Sequence, residues 1–201
     1  MSSAANNIIE IYRRHARSWT DARGKSLTEN NWVDRFRSLL PPRSHVLDIG
    51  CGSGEPIAQY LSKQGHRITG VDSSPEMIEI FVANLPNQVG LVADMRTLRL
   101  EQRFDGLLAW DSFFHLKYDD QRAMFQVFEE HSRPGAPLMF TSGPEHGEAI
   151  GTLEGEALYH ASLAPTEYVL LLEENSFVVV AHVAEDPTCG GRTVWLAQRR
   201  D

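Results

Sequence analysis

The chain is poor in cysteine, in basic residues and in long apolar runs, and each shortage argues against a class of protein. Only Cys51 and Cys189 occur among 201 residues, whereas a secreted disulfide scaffold needs more cysteines. The formal net charge is −8, from 27 acidic and 19 basic side chains, whereas a surface that binds nucleic-acid phosphates usually has a basic excess. No apolar stretch approaches the ~20 residues that cross a bilayer. We therefore predict neither a nucleic-acid nor a membrane partner.

The opening residues, MSSAANN, have no basic run and no apolar core, so they predict no secretory signal. A length of 201 residues fits one compact domain, and no repeat or linker divides it. We predict a cytoplasmic, single-domain protein over residues 1–201. Within it we expect N-terminal helices over 1–42 that can form a lid, a ligand-binding core over 43–142, and a substrate-side loop, helix and strand pair over 143–201.

Strand and helix patterns alternate through the middle of the chain. Short apolar runs predict strands at HVLDI, RITGV, GLVA, FDGLLAW and PLMFTS, with helical spacing between them. This alternation is typical of an α/β fold with a mostly parallel sheet that has helices on both faces. Near the end, FVVVAHVAED and RTVWLAQRR are separated only by PTCGG. So short a loop cannot hold a parallel crossover, so these two strands must pair antiparallel.

Three details of the local pattern complete this prediction. The helical spacing of Ile8, Tyr12 and Trp19 predicts an amphipathic N-terminal helix. The spacing of Ser73 and Glu76 is that of a capping box, with Ser73 at the start of a helix. The stretch 143–165 is long and glycine-rich with few apolar residues, and we interpret it as a binding loop that forms the substrate-side wall.

A glycine-rich turn, GCGSG, follows the first predicted strand directly. Gly50, Gly52 and Gly54 let the backbone turn tightly and approach a ligand closely, and the next helix offers free N–H groups. Asp72 ends the following strand, 22 residues after Gly50, a position that suits a carboxylate accepting bonds from both ribose hydroxyls. The loop lacks the G-x-G-x-x-G spacing of a dinucleotide site and the Lys-Ser/Thr of a triphosphate site. We therefore expect a nucleoside ligand at the carboxyl ends of the strands.

Five stretches, VLDIGCGSG, GVDSS, LVADM, FDGLLAWDSFFHL and RPGAPLMF, together resemble the successive motifs of class I S-adenosylmethionine-dependent methyltransferases of the small-molecule type. The resemblance covers roughly residues 46–140. It implies a Rossmann-like, doubly wound α/β fold whose seven-stranded, mostly parallel sheet ends in an antiparallel strand pair. It also implies S-adenosylmethionine as cofactor and S-adenosylhomocysteine as product.

The same resemblance implies roles for particular residues. Gly50 and Gly52 would lie beside the methionyl part of the cofactor, with Trp110 near that end. Asp72 would hold the ribose, and Asp94 with Met95 the adenine. The full set of expected cofactor-binding residues is Asp48, Gly50, Cys51, Gly52, Gly54, Asp72, Ser73, Asp94, Met95 and Trp110.

Residues after the later strands and on the N-terminal helix can face a methyl acceptor. His115 and His146 are the candidate catalytic bases, because histidine titrates near neutrality. Tyr12 and Trp19 can form a lid, because aromatic faces attract a sulfonium cation. The substrate-side candidates are Tyr12, Trp19, Asp111, Phe114 and His160. No pair of ligands has tight zinc-site spacing, so we expect no metal.

The resemblance implies transfer of a methyl group from a sulfonium to a nucleophile by in-line displacement, mainly through alignment, with or without a histidine base. We predict that the acceptor is an oxygen or nitrogen atom of a small molecule. The stretch AWDSFF replaces the Asn/Asp-Pro-Pro-aromatic stretch usual in enzymes that methylate nucleobases or glutamine. The alternatives are a protein or RNA methyltransferase and a non-catalytic, cofactor-binding regulatory protein. The acceptor and the oligomeric state are left open.

Overall fold

A computed structural model describes residues 3–201, which form seven α-helices, nine strands and three short 3-10 helices. The helices are α1 (Ser3–Asn6), α2 (Ile8–Arg23), α3 (Asn30–Ser38), α4 (Ile57–Lys63), α5 (Pro75–Asn84), α6 (Tyr118–His131) and α7 (Pro165–Glu174). The strands are β1 (His45–Ile49), β2 (Arg67–Asp72), β3 (Val89–Val92), β4 (Gly106–Ala109), β5 (Pro137–Ser142), β6 (Gly147–Leu153), β7 (Glu156–Ser162), β8 (Phe177–Asp186) and β9 (Arg192–Arg199).

Seven of the strands form one sheet in the order β3-β2-β1-β4-β5-β9-β8. The first five of these pair parallel, and β9 pairs antiparallel with both β5 and β8. The predicted mostly parallel, doubly wound sheet with a terminal antiparallel pair is therefore confirmed. The chain order reverses between β1 and β4, and a ligand site in such a sheet lies beyond the carboxyl ends of the strands at this point.

The central strands β1, β4 and β5 are buried on both faces, as expected of a parallel sheet. Successive side chains of β1 point to opposite faces, so Val46 packs in one apolar cluster while Leu47 and Ile49 pack in the other. The first cluster includes residues of α3, α4 and α5, and the second includes residues of α6 and α7. This two-sided core fixes the strand ends from which the functional side chains project.

The prediction of a loop over 143–165 is wrong, because most of that stretch forms the β-hairpin of β6 and β7. The strands pair antiparallel from Gly147 opposite Ser162 to Leu153 opposite Glu156. The two residues between them, Glu154 and Gly155, both have positive φ angles, 50° and 80°, as in the tight turns that favour hairpins. Most of β6 is exposed, and mainly β7 contributes buried side chains. A hairpin with so little buried apolar surface gives little alternating signal in its sequence.

The start of α5 also differs from the prediction by one residue. The N-cap is Ser74, whose hydroxyl accepts the backbone N–H of Met77 at 3.1 Å, instead of Ser73. Ser73 does not cap the helix and instead lines a cavity beside Asp72. Among the helices of residues 3–201, none combines the length and the apolar character needed to cross a membrane.

Candidate active site

Two adjoining cavities open beyond the carboxyl ends of the parallel strands. The inner cavity, of about 300 Å³, is lined by the glycine loop, the ends of β2 to β4, and α1 and α2. The outer cavity, of about 530 Å³, is lined by α2, the residues after β4 and β5, and the β8–β9 connection. Four side chains line both cavities and form their junction: Tyr12, Trp19, Asp111 and His115. The structure thus brings together residues from both predicted sets, cofactor-binding and substrate-side.

The three glycines of the loop have different neighbours. Gly50 has φ +76°, and a Cβ there would lie 2.3 Å from Cβ of Ser112. Gly52 has φ +51°, and its Cβ would face the Trp19 ring at 3.1 Å. A Cβ at Gly54 would meet the Phe81 ring at 2.7 Å. Gly50 and Gly52 line the inner cavity. At Gly54, the absence of a side chain leaves room for the Phe81 ring of α5.

Asp72 joins the glycine loop to the start of α5. Its carboxylate accepts the backbone N–H groups of Gly52, at 3.0 Å, and of Ser74, at 2.9 Å. Burial raises the pKa of Asp72, although these backbone donors act in the opposite direction. The side chain lines the inner cavity, where its ionised oxygens are strong hydrogen-bond acceptors.

Asp94 and Met95 also line the inner cavity, together with Arg96, which no motif in the sequence indicates. The Asp94 carboxylate accepts bonds from Nε of Arg96, at 2.9 Å, and from its backbone N–H, at 3.0 Å. The Arg96 guanidinium lowers the pKa of Asp94. A ligand that binds this carboxylate has to share it with Arg96.

A third, small pocket of about 40 Å³ lies between the glycine loop and Trp110, and Asp48, Cys51 and Gly54 line it. The Nε1–H of Trp110 is buried and has no hydrogen-bond partner among residues 3–201. Asp48 is buried as well, and this burial, with the nearby Asp72 carboxylate, raises the pKa of Asp48 to about 7. An orphaned buried donor and a buried carboxyl group are features of a site that binds a polar group.

A chain of hydrogen bonds links α2 to the hairpin through His115. Nδ1 of His115 lies 2.8 Å from the carbonyl oxygen of Tyr159, and Nε2 lies 2.8 Å from the hydroxyl of Tyr12. A carbonyl can only accept, so Nδ1 carries the proton and Nε2 accepts the Tyr12 O–H. Burial lowers the pKa of His115 to about 3. The ring is therefore neutral, and both of its nitrogens are engaged.

Asp111 is held at the junction by Arg192, a residue 81 positions later in the chain. Nε and Nη2 of Arg192 donate to its carboxylate at 2.9 and 2.7 Å, and the Asp111 N–H donates to Oγ1 of Thr141 at 2.9 Å. These bonds hold Asp111 at φ +48°. The sequence alone contains no signal for this pair, because only the pairing of β9 with β5 brings Arg192 near the end of β4.

The remaining predicted residues divide between the outer cavity and positions away from both cavities. Phe114 and His160 line the outer cavity. His146 is exposed and stacks on Tyr118 with ring centroids 4.7 Å apart, outside both cavities. Cys189, which is outside the predicted set, is buried beside the Asp186 carbonyl. Within residues 3–201, no three histidine, cysteine or carboxylate side chains come together as a metal site.

Comparison with known proteins finds similarity to methyltransferases. The family described as "Methyltransferase domain" matches residues 46–135. An N,N-dimethyltransferase of dTDP-3-amino-3,4,6-trideoxy-α-D-glucopyranose from Streptomyces venezuelae is 30% identical over 109 residues, 53% of this chain and 46% of that relative. The chain therefore covers less than half of that relative's length.

A second relative matches over a longer range. The dTDP-4-amino-2,3,4,6-tetradeoxy-D-glucose N,N-dimethyltransferase of Saccharopolyspora spinosa is 24% identical over 183 residues, covering 89% of this chain and 71% of the relative. Among solved structures, the 1,6-didemethyltoxoflavin-N1-methyltransferase of Burkholderia thailandensis, solved with 1,6-didemethyltoxoflavin and S-adenosylhomocysteine, superposes with a TM-score of 0.73. That structure shares 21% identity, and the match covers 98% of this chain and 87% of the other. The agreement establishes the fold.

Proposed function

Because the chain belongs to the class I S-adenosylmethionine-dependent methyltransferases, we propose that it methylates an oxygen or nitrogen atom of a small molecule. The observation that carries this proposal is the pair of adjoining cavities with four shared side chains at the junction. A methyl donor in the inner cavity and an acceptor in the outer cavity meet at that junction. Holding two reactants in line in this way supplies much of the catalysis that methyl transfer needs.

The residues around the inner cavity fit S-adenosylmethionine. The N–H of Trp110, which has no hydrogen-bond partner within residues 3–201, and the carboxylate of Asp72 line this cavity and can bind polar groups of a ligand. The buried carboxyl group of Asp48 lines the small pocket beside Trp110. Asp72 would hold the ribose hydroxyls, and Asp94 and Met95 the adenine. Gly50 and Gly52 would leave room for the methionyl part. When bound, this cofactor supplies an activated methyl group on a positively charged sulfur.

The side chains at the junction orient the reactants and exclude water. Tyr12 and Trp19 lie on α2 with their rings edge to face, 5.9 Å apart, and present aromatic surface to a sulfonium cation. His15, on the same helix, lies 2.6 Å from Glu156 of the hairpin. This contact fixes α2 to the hairpin, so that the helix acts as a lid over the junction of the two cavities. His115 keeps the Tyr12 hydroxyl in one orientation.

A small-molecule acceptor fits the outer cavity of about 530 Å³, which adjoins the inner cavity at the four shared side chains. Its lining combines aromatic and histidine rings with the polar residues Ser142 and Thr193. The relatives that act on amino sugars support a nitrogen acceptor, and O-methyltransferases from Aspergillus sclerotiorum and Pyrenophora dematioidea support an oxygen acceptor. No observation on residues 3–201 favours the protein, RNA or non-catalytic alternatives. The cytoplasmic location and the division into 1–42, 43–142 and 143–201 stay predictions.

Calorimetry and a methyl-transfer screen test this function. We expect S-adenosylhomocysteine to bind with measurable heat and to raise the melting temperature, since ligand binding stabilises the folded state. We then expect methyl transfer from labelled S-adenosylmethionine to a member of a panel of aminosugar nucleotides, phenols and carboxylic acids. Absence of both heat and thermal shift with either form of the cofactor would overturn the proposal.

Replacing Asp72 by alanine should weaken S-adenosylhomocysteine binding by about 1.5–3 kcal/mol, because a charged acceptor of hydrogen bonds is lost. Calorimetric titration measures the change. Asp119→Ala, at an exposed carboxylate outside both cavities, serves as control and should leave the affinity unchanged. Equal affinities of the Asp72 variant and the native protein would remove Asp72 from the cofactor site.

A further inference from the structure

Two imidazole rings meet at the outer cavity, and only one of them has free nitrogen atoms. His115 and His160 lie with ring centroids 4.8 Å apart. His115 donates through Nδ1 to Tyr159 and accepts through Nε2 from Tyr12. The ring nitrogens of His160 make no hydrogen bond within residues 3–201, and the half-buried ring lines the outer cavity. Of these two imidazoles, His160 is therefore the one that can accept a proton from a molecule in this cavity.

The β6–β7 hairpin places the His160 ring. The ring lies against Phe114, with centroids 5.1 Å apart. Gly151 of β6 is also close to the ring, because a Cβ there would come 3.0 Å from Cε1 of His160. The absence of a side chain at Gly151 thus leaves the space that the imidazole occupies. The hairpin that replaces the expected loop is the element that carries this group to the cavity.

The surroundings keep the imidazole neutral and able to accept a proton. Burial lowers the pKa of His160, while the Asp111 carboxylate acts in the opposite direction. The charged and titratable side chains that line the outer cavity with it are Tyr12, Arg23, Asp111, His115, Glu185 and Arg192. Arg192 is paired with Asp111 and Arg23 with Glu29. Glu185, which makes no ion pair within residues 3–201, is the charged side chain of this lining that is not compensated in this way.

We propose that His160 is the catalytic base of the proposed methyl transfer, and that the acceptor is accordingly an alcohol, a phenol or an amine. A lone pair of the acceptor atom forms the bond to the methyl carbon, and the electron pair of the broken carbon–sulfur bond stays on sulfur. The acceptor's own proton moves to a ring nitrogen of His160, and water removes it through the outer cavity. The positive charge lost from sulfur reappears on the imidazole, near the Asp111 carboxylate. A carboxylate acceptor has no such proton to give and needs no base.

Chemical labelling tests the position of His160 without any turnover. Diethyl pyrocarbonate acylates an accessible, unprotonated imidazole nitrogen, and mass spectrometry locates the product. With S-adenosylhomocysteine present at pH 7, we expect labelling of His160 and protection of His115. His160→Gln should remove this label, whereas the control His182→Gln, at a ring stacked on Trp195, should leave it in place. Labelling of His115 with protection of His160 would overturn the proposal.

Kinetic measurements with a phenol or an aminosugar nucleotide from the substrate panel test the role of His160 as a base. His160→Gln should lower kcat by about 100-fold or more, the usual contribution of a general base, with the dissociation constant of S-adenosylhomocysteine unchanged. Because only the neutral imidazole accepts a proton and burial lowers the pKa of His160, kcat of the native protein should fall on acidification with a midpoint below the ordinary histidine value of about 6.5. That acidic limb should disappear in His160→Gln and persist in His115→Gln. An acidic limb that disappears in His115→Gln and persists in His160→Gln would contradict the proposal.

A variant that shifts the His160 ring without removing it tests whether the position of the ring matters for catalysis. Gly151→Ala should lower kcat, because its methyl group displaces the imidazole, whereas Thr152→Ala at the exposed next position should not. This inference rests on the proposed function, but the two fail differently. Missing cofactor binding and missing turnover would overturn the proposed function, whereas normal turnover by His160→Gln would overturn only the role of His160.

Discussion

Replacing Gly50 by alanine is expected to lower the free energy of unfolding by about 2–5 kcal/mol. Two costs add at this position. Its φ of +76° lies in the left-handed region, where an L-residue costs roughly 1–2 kcal/mol. In addition, the new methyl group would lie 2.3 Å from Cβ and 2.7 Å from Oγ of Ser112, and forcing an extra group into a packed site costs about 1–3 kcal/mol. Denaturant unfolding measures the sum.

Gly65→Ala is the matched control for the backbone cost. Gly65 has φ +90°, but a Cβ there would meet no atom within 4 Å. It should therefore cost only about 1–2 kcal/mol. The double variant Gly50→Ala/Ser112→Gly should recover part of the loss by removing the atoms that clash. Equal destabilisation by Gly50→Ala and Gly65→Ala would show that the contact with Ser112 has no energetic weight.

Replacing Asp48 by asparagine is expected to stabilise the cofactor-free protein at pH 8 by up to about 4 kcal/mol. Burial raises the pKa of this carboxyl from 3.8 to about 7, and a tenfold change in a proton-binding constant corresponds to about 1.4 kcal/mol. Between these pH values the folded state binds more protons than the unfolded state. The stability of the native protein therefore falls as the pH rises from about 4 to about 7. Asparagine does not titrate and avoids that loss.

Thermal unfolding at pH 5 and at pH 8 measures this effect. The gain from Asp48→Asn should be large at pH 8 and small at pH 5. Asp21→Asn, at an exposed position on α2, should give no gain at either pH. A pH-independent gain from Asp48→Asn would instead point to a packing effect. Since Asp48 lines the small pocket beside Trp110, we also expect the variant to bind S-adenosylhomocysteine more weakly.

The strands and the glycine loop could be predicted because their signals are local. HVLDI and PLMFTS are continuous apolar runs, as strands buried on both faces require, and both predictions match β1 and β5. The short PTCGG connection dictated an antiparallel pair. In contrast, the capping residue of α5 was misplaced by one position, because Ser73 and Ser74 are chemically equivalent in the sequence and only the backbone geometry distinguishes them.

The hairpin was missed for a different reason. β6 exposes most of its side chains, including Ile150 at 56% exposure. Its sequence therefore lacks the regular apolar alternation that identifies a half-buried strand. The glycines in this stretch favoured a loop interpretation, although Gly155 belongs to the tight turn and Gly151 makes room for His160. As a result the sequence did not distinguish His160 from His146.

The sequence by itself determined the sheet, the glycine loop and the carboxylates at the ends of β2 and β3, because these depend on residue types close together in the chain. Only the tertiary structure decided which nitrogen atoms are free and which charges are paired. His115 is engaged by Tyr12 and Tyr159, from positions far before and after it, and Asp111 is held by Arg192 from β9. Such contacts depend on how the N-terminal helix, the hairpin and the last strand pack around the strand ends. No local pattern of residues encodes that packing.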